Sequence, residues 1–349
     1  MQFERGHMMS ERKMICAFSS DSRELYKADV FRSINLPKGH VVHFRYKGKY
    51  VEDELLRKDV KWWEGKEAVI FFTKGNSLEK SDSKPENIAI RKATIVSFSY
   101  DLEKTDVCHL YMKLSDFCRA SIPSSTQHTN QPNSKFLSEL PLEKFDVVTW
   151  KDCIESVSDS FQGKVFTHIV GLKTHKAEDV SLKYDKGTKT SYYELVQGER
   201  YTMEMATGNP DVNSCKTELS RSSDEVNFHC ITPIETTVQY DLKQIPLSVK
   251  KLDSRKAYST INLCPVTTSI QYRKEETKEY REFSTQIEIR SRQSRTASVM
   301  FGFASALLVA GLGLGRVAVK DPISWLLGLV ALGLVIVSAS LLHHFFNKK

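Results

Sequence analysis

Cys108 and His109 stand side by side in the chain, and His168 follows further on. A thiol next to an imidazole is the usual raw material of a nucleophilic site, so these three side chains are the catalytic candidates by type. No third group lies near them in the chain to orient the imidazole. His40 and His43 are three apart on an expected strand. Alternation then puts them on opposite faces, which argues against a shared metal. His175 stands alone beyond His168. A phosphate-binding glycine loop is missing, since Gly163-Lys164 lacks its partner glycine, and neither a G-x-S-x-G elbow nor an H-E-x-x-H pair occurs. The seven cysteines are scattered, odd in number and form no C-x-x-C pair. They read as free thiols of a reducing compartment. No cofactor or metal is expected, and an enzyme is not the leading reading.

The most specific pattern is apolar. Thr296 to Gly315 is a run of 20 residues without a charge, and Pro322 to Leu342 is a second run of 21. Six residues, Arg316 to Asp321, join them. A helix of about 20 apolar residues matches the roughly 30 Å hydrocarbon core of a bilayer, so the spacing predicts a two-helix transmembrane hairpin over 296–315 and 322–342. Pro322 suits a first helical turn, and Trp325 suits an interfacial anchor. Gly311 and Gly315 make a G-x-x-x-G, and Ser324 and Gly328 repeat the spacing in the second run. Small residues let helices approach closely where lipid offers no hydrophobic drive. These four are the helix-packing candidates, between the two spans or between hairpins of a homo-oligomer. Neither span holds an ionisable residue, which disfavours a proton relay.

Charge sets an orientation. Residues 243–349 hold 16 Lys and Arg against 7 Asp and Glu, whereas residues 1–242 hold 34 against 36. Arg290, Arg292 and Arg295 precede the first run, and Lys348 and Lys349 follow the second. Only Arg316 and Lys320 lie in the turn. The positive-inside rule then places both termini in the cytoplasm, at the inner or plasma membrane if the source is bacterial. The first residues carry charges and no apolar stretch, so no export signal is expected. The five flanking basic residues are expected to face anionic lipid headgroups.

The elements ahead of the hairpin read as β. Their 40% hydrophobic and 27% charged composition, taken over the chain, is that of a globular protein and excludes wholesale disorder. Residues 1–120 alternate strand-like runs (His40–Tyr46, Glu67–Thr73, Ile88–Tyr100, Val107–Leu114) with one short helix near Asp53–Trp63, a β-rich cytosolic domain. Ser121–Ser134 is a polar, Pro-containing linker. Within 135–163 a strand precedes a helix in which Trp150, Ile154, Val157 and Phe161 share one face, opened by a Thr149/Asp152 capping box. From 164 to 291 the pattern is all β, with Gln197-Gly198 marking a tight hairpin. This stretch resembles an immunoglobulin-like sandwich in its strand pattern, without the Cys…Trp…Cys spacing. The fold class expected is therefore mainly β: two β-rich soluble domains, the second sandwich-like, and a C-terminal two-helix hairpin.

This layout predicts a membrane-anchored cytosolic recognition protein whose partners are the lipid bilayer, a protein or small ligand on the β domains, and other copies of the chain. No nucleic-acid motif occurs, and nucleic acid is disfavoured. A soluble β sensor followed by a two-span hairpin is similar to membrane-acting effectors of bacterial antiviral defence. That resemblance implies a triggered pore former or membrane disruptor. The alternatives are a membrane-bound enzyme with a site between the two β domains and a passive scaffold or adaptor.

Overall fold

The computed structural model describes residues 13–74, 86–101, 105–123, 135–293, 302–312 and 325–347, apart from 163, 209, 211–213, 223, 225, 231–233, 238, 251–257 and 270–284. Most of the expected linker and the turn of the hairpin lie outside these residues. The protein is mainly β, as the sequence predicts, with three sheets.

The first sheet has seven strands: β1 (Lys13–Ser20), β2 (Val41–Lys47), β3 (Glu67–Lys74), β4 (Glu86–Asp101), β5 (Val107–Ser121), β6 (Leu137–Pro141) and β7 (Lys144–Val147). Its order is β2-β5-β4-β3-β1-β6, with β7 paired to β5. β1 and β3 run parallel at its centre, Ile15 opposite Ala68 and Phe18 opposite Phe71. Central strands covered on both faces read as continuous apolar runs. Accordingly Ala68 through Phe72 are all fully buried. Because β6 pairs with β1 while β7 pairs with β5, the sheet curls. Met14, Cys16, Phe18, Val69, Phe71, Cys118, Ala120 and Leu140 fill its inner face.

Helices cover the rest. α1 (Glu24–Asn35) follows β1 and buries Val30, Phe31 and Ile34. Two single turns, α2 (Asp53–Leu56) and α3 (Val60–Trp63), replace the one helix expected there. α4 (Trp150–Val157) starts on the predicted capping box, in which Asp152 N–H donates to Thr149 Oγ1 at 3.2 Å and Thr149 N–H to Asp152 Oδ2 at 3.0 Å. Phe31, Ile34, Ile154, Val157, Phe161 and Phe166 close one apolar cluster between α1, α4 and the sheet.

The later strands form a sandwich. β8 (Phe166–Thr174), β11 (Arg200–Gly208), β13 (Val226–Phe228) and β15 (Tyr240–Val249) make one sheet. β9 (Leu182–Asp185), β10 (Thr190–Val196), β12 (Cys215–Arg221), β14 (Ile234–Thr236), β16 (Tyr258–Ser269) and β17 (Ile287–Arg292) make the other. Gln197-Gly198 is therefore not a hairpin turn. It carries the chain from one sheet to the other: Gln197 N–H donates to Arg292 O and Gly198 N–H to Val249 O, both at 2.8 Å. Gly198 sits at φ 80°, which only glycine adopts without strain.

One hydrophobic cluster runs from Ile15, Phe44 and Leu110 of the first sheet to Ile169, Met203, Leu247 and Ile289 of the sandwich. Two polar links cross the same junction. Val41 N–H donates to Ser191 Oγ at 2.8 Å, and His168 Nδ1 lies 3.0 Å from Asn35 O.

After β17 come two apolar helices, α5 (302–312) and α6 (Trp325–Asn347). Side chains are described for 302–312 and 329–340. Among the described residues no helix is long and apolar enough to cross a membrane, so membrane crossing by the hairpin is not shown.

Candidate functional site

A cavity of about 370 Å³ opens where β1 ends and α1 begins, against edge strand β2. Its size falls in the usual range for small-molecule sites, about 300–1,000 Å³. The floor is set by local bonding. Ser19 Oγ donates to Tyr26 O at 2.9 Å, Ser20 and Ser22 hydroxyls meet at 2.8 Å, and Tyr46 O–H donates to Phe18 O at 3.1 Å. Alternation on β2 buries Phe44 and Tyr46 in the core and leaves Arg45 and Lys47 exposed, and all four border the cavity. The 3-10 turn Gly48–Tyr50 adds Lys49 and Tyr50, and Phe136 closes the side, edge-on to Tyr50 at 5.5 Å.

The cavity is basic. Arg23, Arg45, Lys47 and Lys49 line it against a single carboxylate, Asp29. Among the described residues none of the four basic groups makes an ion pair within 4 Å. Two lie over aromatic rings instead, Lys49 Nζ 4.9 Å from the Tyr50 centroid and the Arg23 guanidinium 5.8 Å from that of Tyr26. Asp29 sits 3.4 Å from Arg32. Burial pushes its carboxyl up to about 6, with Arg32 and Arg45 pulling against that rise. α1 starts at Arg23 without any side-chain cap, so its first N–H groups keep the partial positive charge of a helix start.

None of these residues is a catalytic candidate by sequence, and the structure does not bring those candidates together. Cys108 is fully buried, and burial pushes its thiol up to about 12. Such a thiol is no nucleophile. His109 is on the opposite face of β5, where its Nδ1 lies 3.0 Å from Nε2 of His43. The His43 ring stacks on Tyr111 at 4.3 Å, and Lys189 of the β9–β10 turn sits 4.6 Å above the Tyr111 ring. Burial, and then His109, push His43 down to about 4. His168 is buried elsewhere, stacked on Trp150 at 5.7 Å, and burial lowers it to about 3. His40 precedes β2, and its Nδ1 lies 3.0 Å from Val41 O. Among the described residues no group of three His, Cys, Asp or Glu is placed to hold a metal.

The helix-packing residues fare differently. An added Cβ on Gly311 would lie 2.9 Å from Val335 Cγ2 and 3.1 Å from Ala331 O, so α5 and α6 touch at this glycine. Ser338 Oγ donates to Ala304 O at 2.5 Å. The pairs 304/338 and 311/331 share one antiparallel register, the contacts seven positions apart on each helix. Ala304, Ala331 and Ser338 are buried in the seam, while Phe303, Val309, Leu312, Leu332 and Ile336 are more than half exposed outside it. Gly315 and Ser324 lie outside the described residues, as do the surroundings of Gly328.

Two of the flanking basic residues are already partnered. Arg290 bonds Asp185 at 2.8 Å and Glu288 at 2.6 Å and lies 3.9 Å over the Tyr192 ring. Arg292 bonds Glu194 at 2.6 Å. They tie β17 to its neighbour β10 and, one strand further out, to β9. Arg295, Lys348 and Lys349 lie outside the described residues.

Fold and site together define a mainly β protein with a sandwich, a basic ring-lined cavity and an apolar helical pair. No protein-family model matches the chain, and no curated protein matches it in sequence.

Proposed function

We propose that this chain is a membrane-anchored recognition protein. An apolar hairpin holds the β-rich body at a bilayer, on the cytoplasmic side, and the body binds a ligand or partner. The observation that carries this reading is the inverted build of α5 and α6. Small residues (Ala304, Gly311, Ala331, Ser338) lie in the seam, with Val335 and Leu334 against Gly311, while Phe303, Val309, Leu312, Leu332 and Ile336 face out. In water such a surface would be a large exposed apolar patch. In lipid it is the expected arrangement, with close backbone approach and one interhelical hydrogen bond. In its sharper form the reading is of an effector: ligand binding rearranges hairpins of several copies and disrupts the bilayer.

Alkaline carbonate tests the anchor. The full chain should stay with the membrane pellet, and release into the wash overturns the reading. Protease added outside intact cells should leave the β body uncut. Dye-loaded liposomes carrying the chain test the effector form. Leakage on addition of ligand supports it, and a retained dye load at high occupancy counts against it.

A further inference from the structure

We infer that the cavity between β1, α1 and β2 is a binding site for a nucleoside diphosphate. The inference deepens the recognition half of the reading above and does not depend on its membrane half.

Three observations converge on that chemistry. First, the charge is one-sided and unspent. Arg45 and Lys47 project from the edge strand, Arg23 and Lys49 flank them, and Asp29 is the one acid in the lining. Four cations against one carboxylate leave a charge of about three, the size of the opposite charge on a diphosphate ester at neutral pH. Ion pairing does not account for that charge, since among the described residues no acid stands within ion-pair distance of the four.

Second, the cavity offers flat apolar faces as well as charge. Tyr26 and Tyr50 are half-buried at the rim and each already carries a cation over its ring. A heterocyclic base stacks on such rings, and cations beside them favour the attached phosphates. Phe136 braces Tyr50 edge-on and holds it in place.

Third, the shape selects a small molecule. About 370 Å³ suits a single nucleotide, and the walls come from three directions, unlike the open groove that tracks a nucleic-acid strand. Asp29 lies at the α1 side, where a carboxylate accepts from the N–H groups of a base.

Calorimetry on the full chain in detergent tests the assignment, using ADP, GDP, CDP and UDP, with inorganic pyrophosphate, the four nucleosides and a ten-nucleotide RNA as the other probes. At least one diphosphate should saturate one site per chain in the micromolar range. Pyrophosphate and the matching nucleoside should each bind at least tenfold more weakly. Arg45→Gln with Lys47→Gln, both exposed and with no acid within 4 Å among the described residues, should weaken binding at least tenfold while the denaturant midpoint stays unchanged. Tyr50→Leu should weaken the nucleotide and leave pyrophosphate as it was. Absence of saturation by every diphosphate up to 1 mM (an order-of-magnitude limit for a specific site, about 4 kcal/mol) overturns the proposal. So does pyrophosphate binding as tightly as the nucleotide, or RNA binding more tightly than either. A chain that binds nucleotide yet leaves the membrane in carbonate defeats the anchor and keeps the site.

Discussion

Arg91 shows what one side chain does for the cavity. It is 1% exposed, yet no acid pairs with it at ion-pair distance among the described residues. Its Nη1 donates to Ser33 O at 2.9 Å and Leu36 O at 2.7 Å, its Nε donates to Ser115 O at 2.7 Å, and its guanidinium lies 4.2 Å over Phe117. Burial lowers it to about 10, so it stays charged at neutral pH. Two of its three acceptors are carbonyls at the end of α1, which a helix leaves unpaired and which attract a cation. Arg91 therefore fixes the far end of the helix whose start lines the cavity. Arg91→Met leaves those carbonyls buried and unsatisfied, and should cost about 3 kcal/mol; the denaturant midpoint measures it. Arg91→Lys keeps the charge but not the fork, and should fall between the two. At this scale the sequence misleads about function. Cys108 and His109 are adjacent, but adjacency on a strand means opposite faces, so one went to the core and the other to His43.

Elements were legible where their signals were local. Thr149 and Asp152 sit three apart ahead of an apolar face, and the capping box forms as that spacing requires. β3 announces itself by six apolar or small residues in a row. α1 is not legible in the sequence for a physical reason: its N-cap, Arg23, offers no capping side chain, and its apolar face is narrow (Val30, Phe31, Ile34) among Lys27, Asp29 and Arg32. Its absence from the sequence reading hid the cavity, which no strand pattern alone could suggest. Gln197-Gly198 taught the complementary lesson. A turn signature fixes a reversal, but partner choice belongs to the cores on either side. The hairpin is legible in its two apolar runs, and the packing expected at its glycines has an element-scale test. Spin labels on exposed Val309 and Leu332 report the α5–α6 distance. Gly311→Leu drives a side chain into Val335 and the Ala331 carbonyl, and should widen that distance. Gly302→Leu meets open space and should leave it as it is. Equal distances in both variants would mean that Gly311 is no part of the seam.

At the scale of the whole molecule, two stretches that look separable in sequence share one hydrophobic cluster, and titratable groups are locked in or near it. The linker composition of 121–134 suggests independence; the apolar residues that link the sheets, such as Leu36 and Leu114, carry no mark in the sequence of what they pack against. This gives stability a defined pH dependence. His40, His43 and His168 are lowered to about 4, 4 and 3, each chiefly by burial. In the unfolded chain they take up protons near 6.5. Between about 6.5 and 4 the unfolded state therefore binds more protons at these three sites, and stability falls as pH falls through that window. Asp29 acts in the other direction. Raised to about 6 from 3.8, it holds a proton in the folded state that the unfolded chain gives up, so its share of stability grows as pH falls from about 6 to 4. Three histidines oppose one carboxyl, and the balance favours destabilisation. Urea midpoints of the full chain in detergent should thus drop steadily from pH 7 to pH 5. His43→Gln, at the least buried of the three rings, should flatten the drop without abolishing it, and Asp29→Asn should steepen it, because it deletes the opposing share. A midpoint that rises on acidification, or a slope indifferent to both substitutions, would show that these rings are solvated in the folded protein and that the junction between the sheets is more open than their burial says.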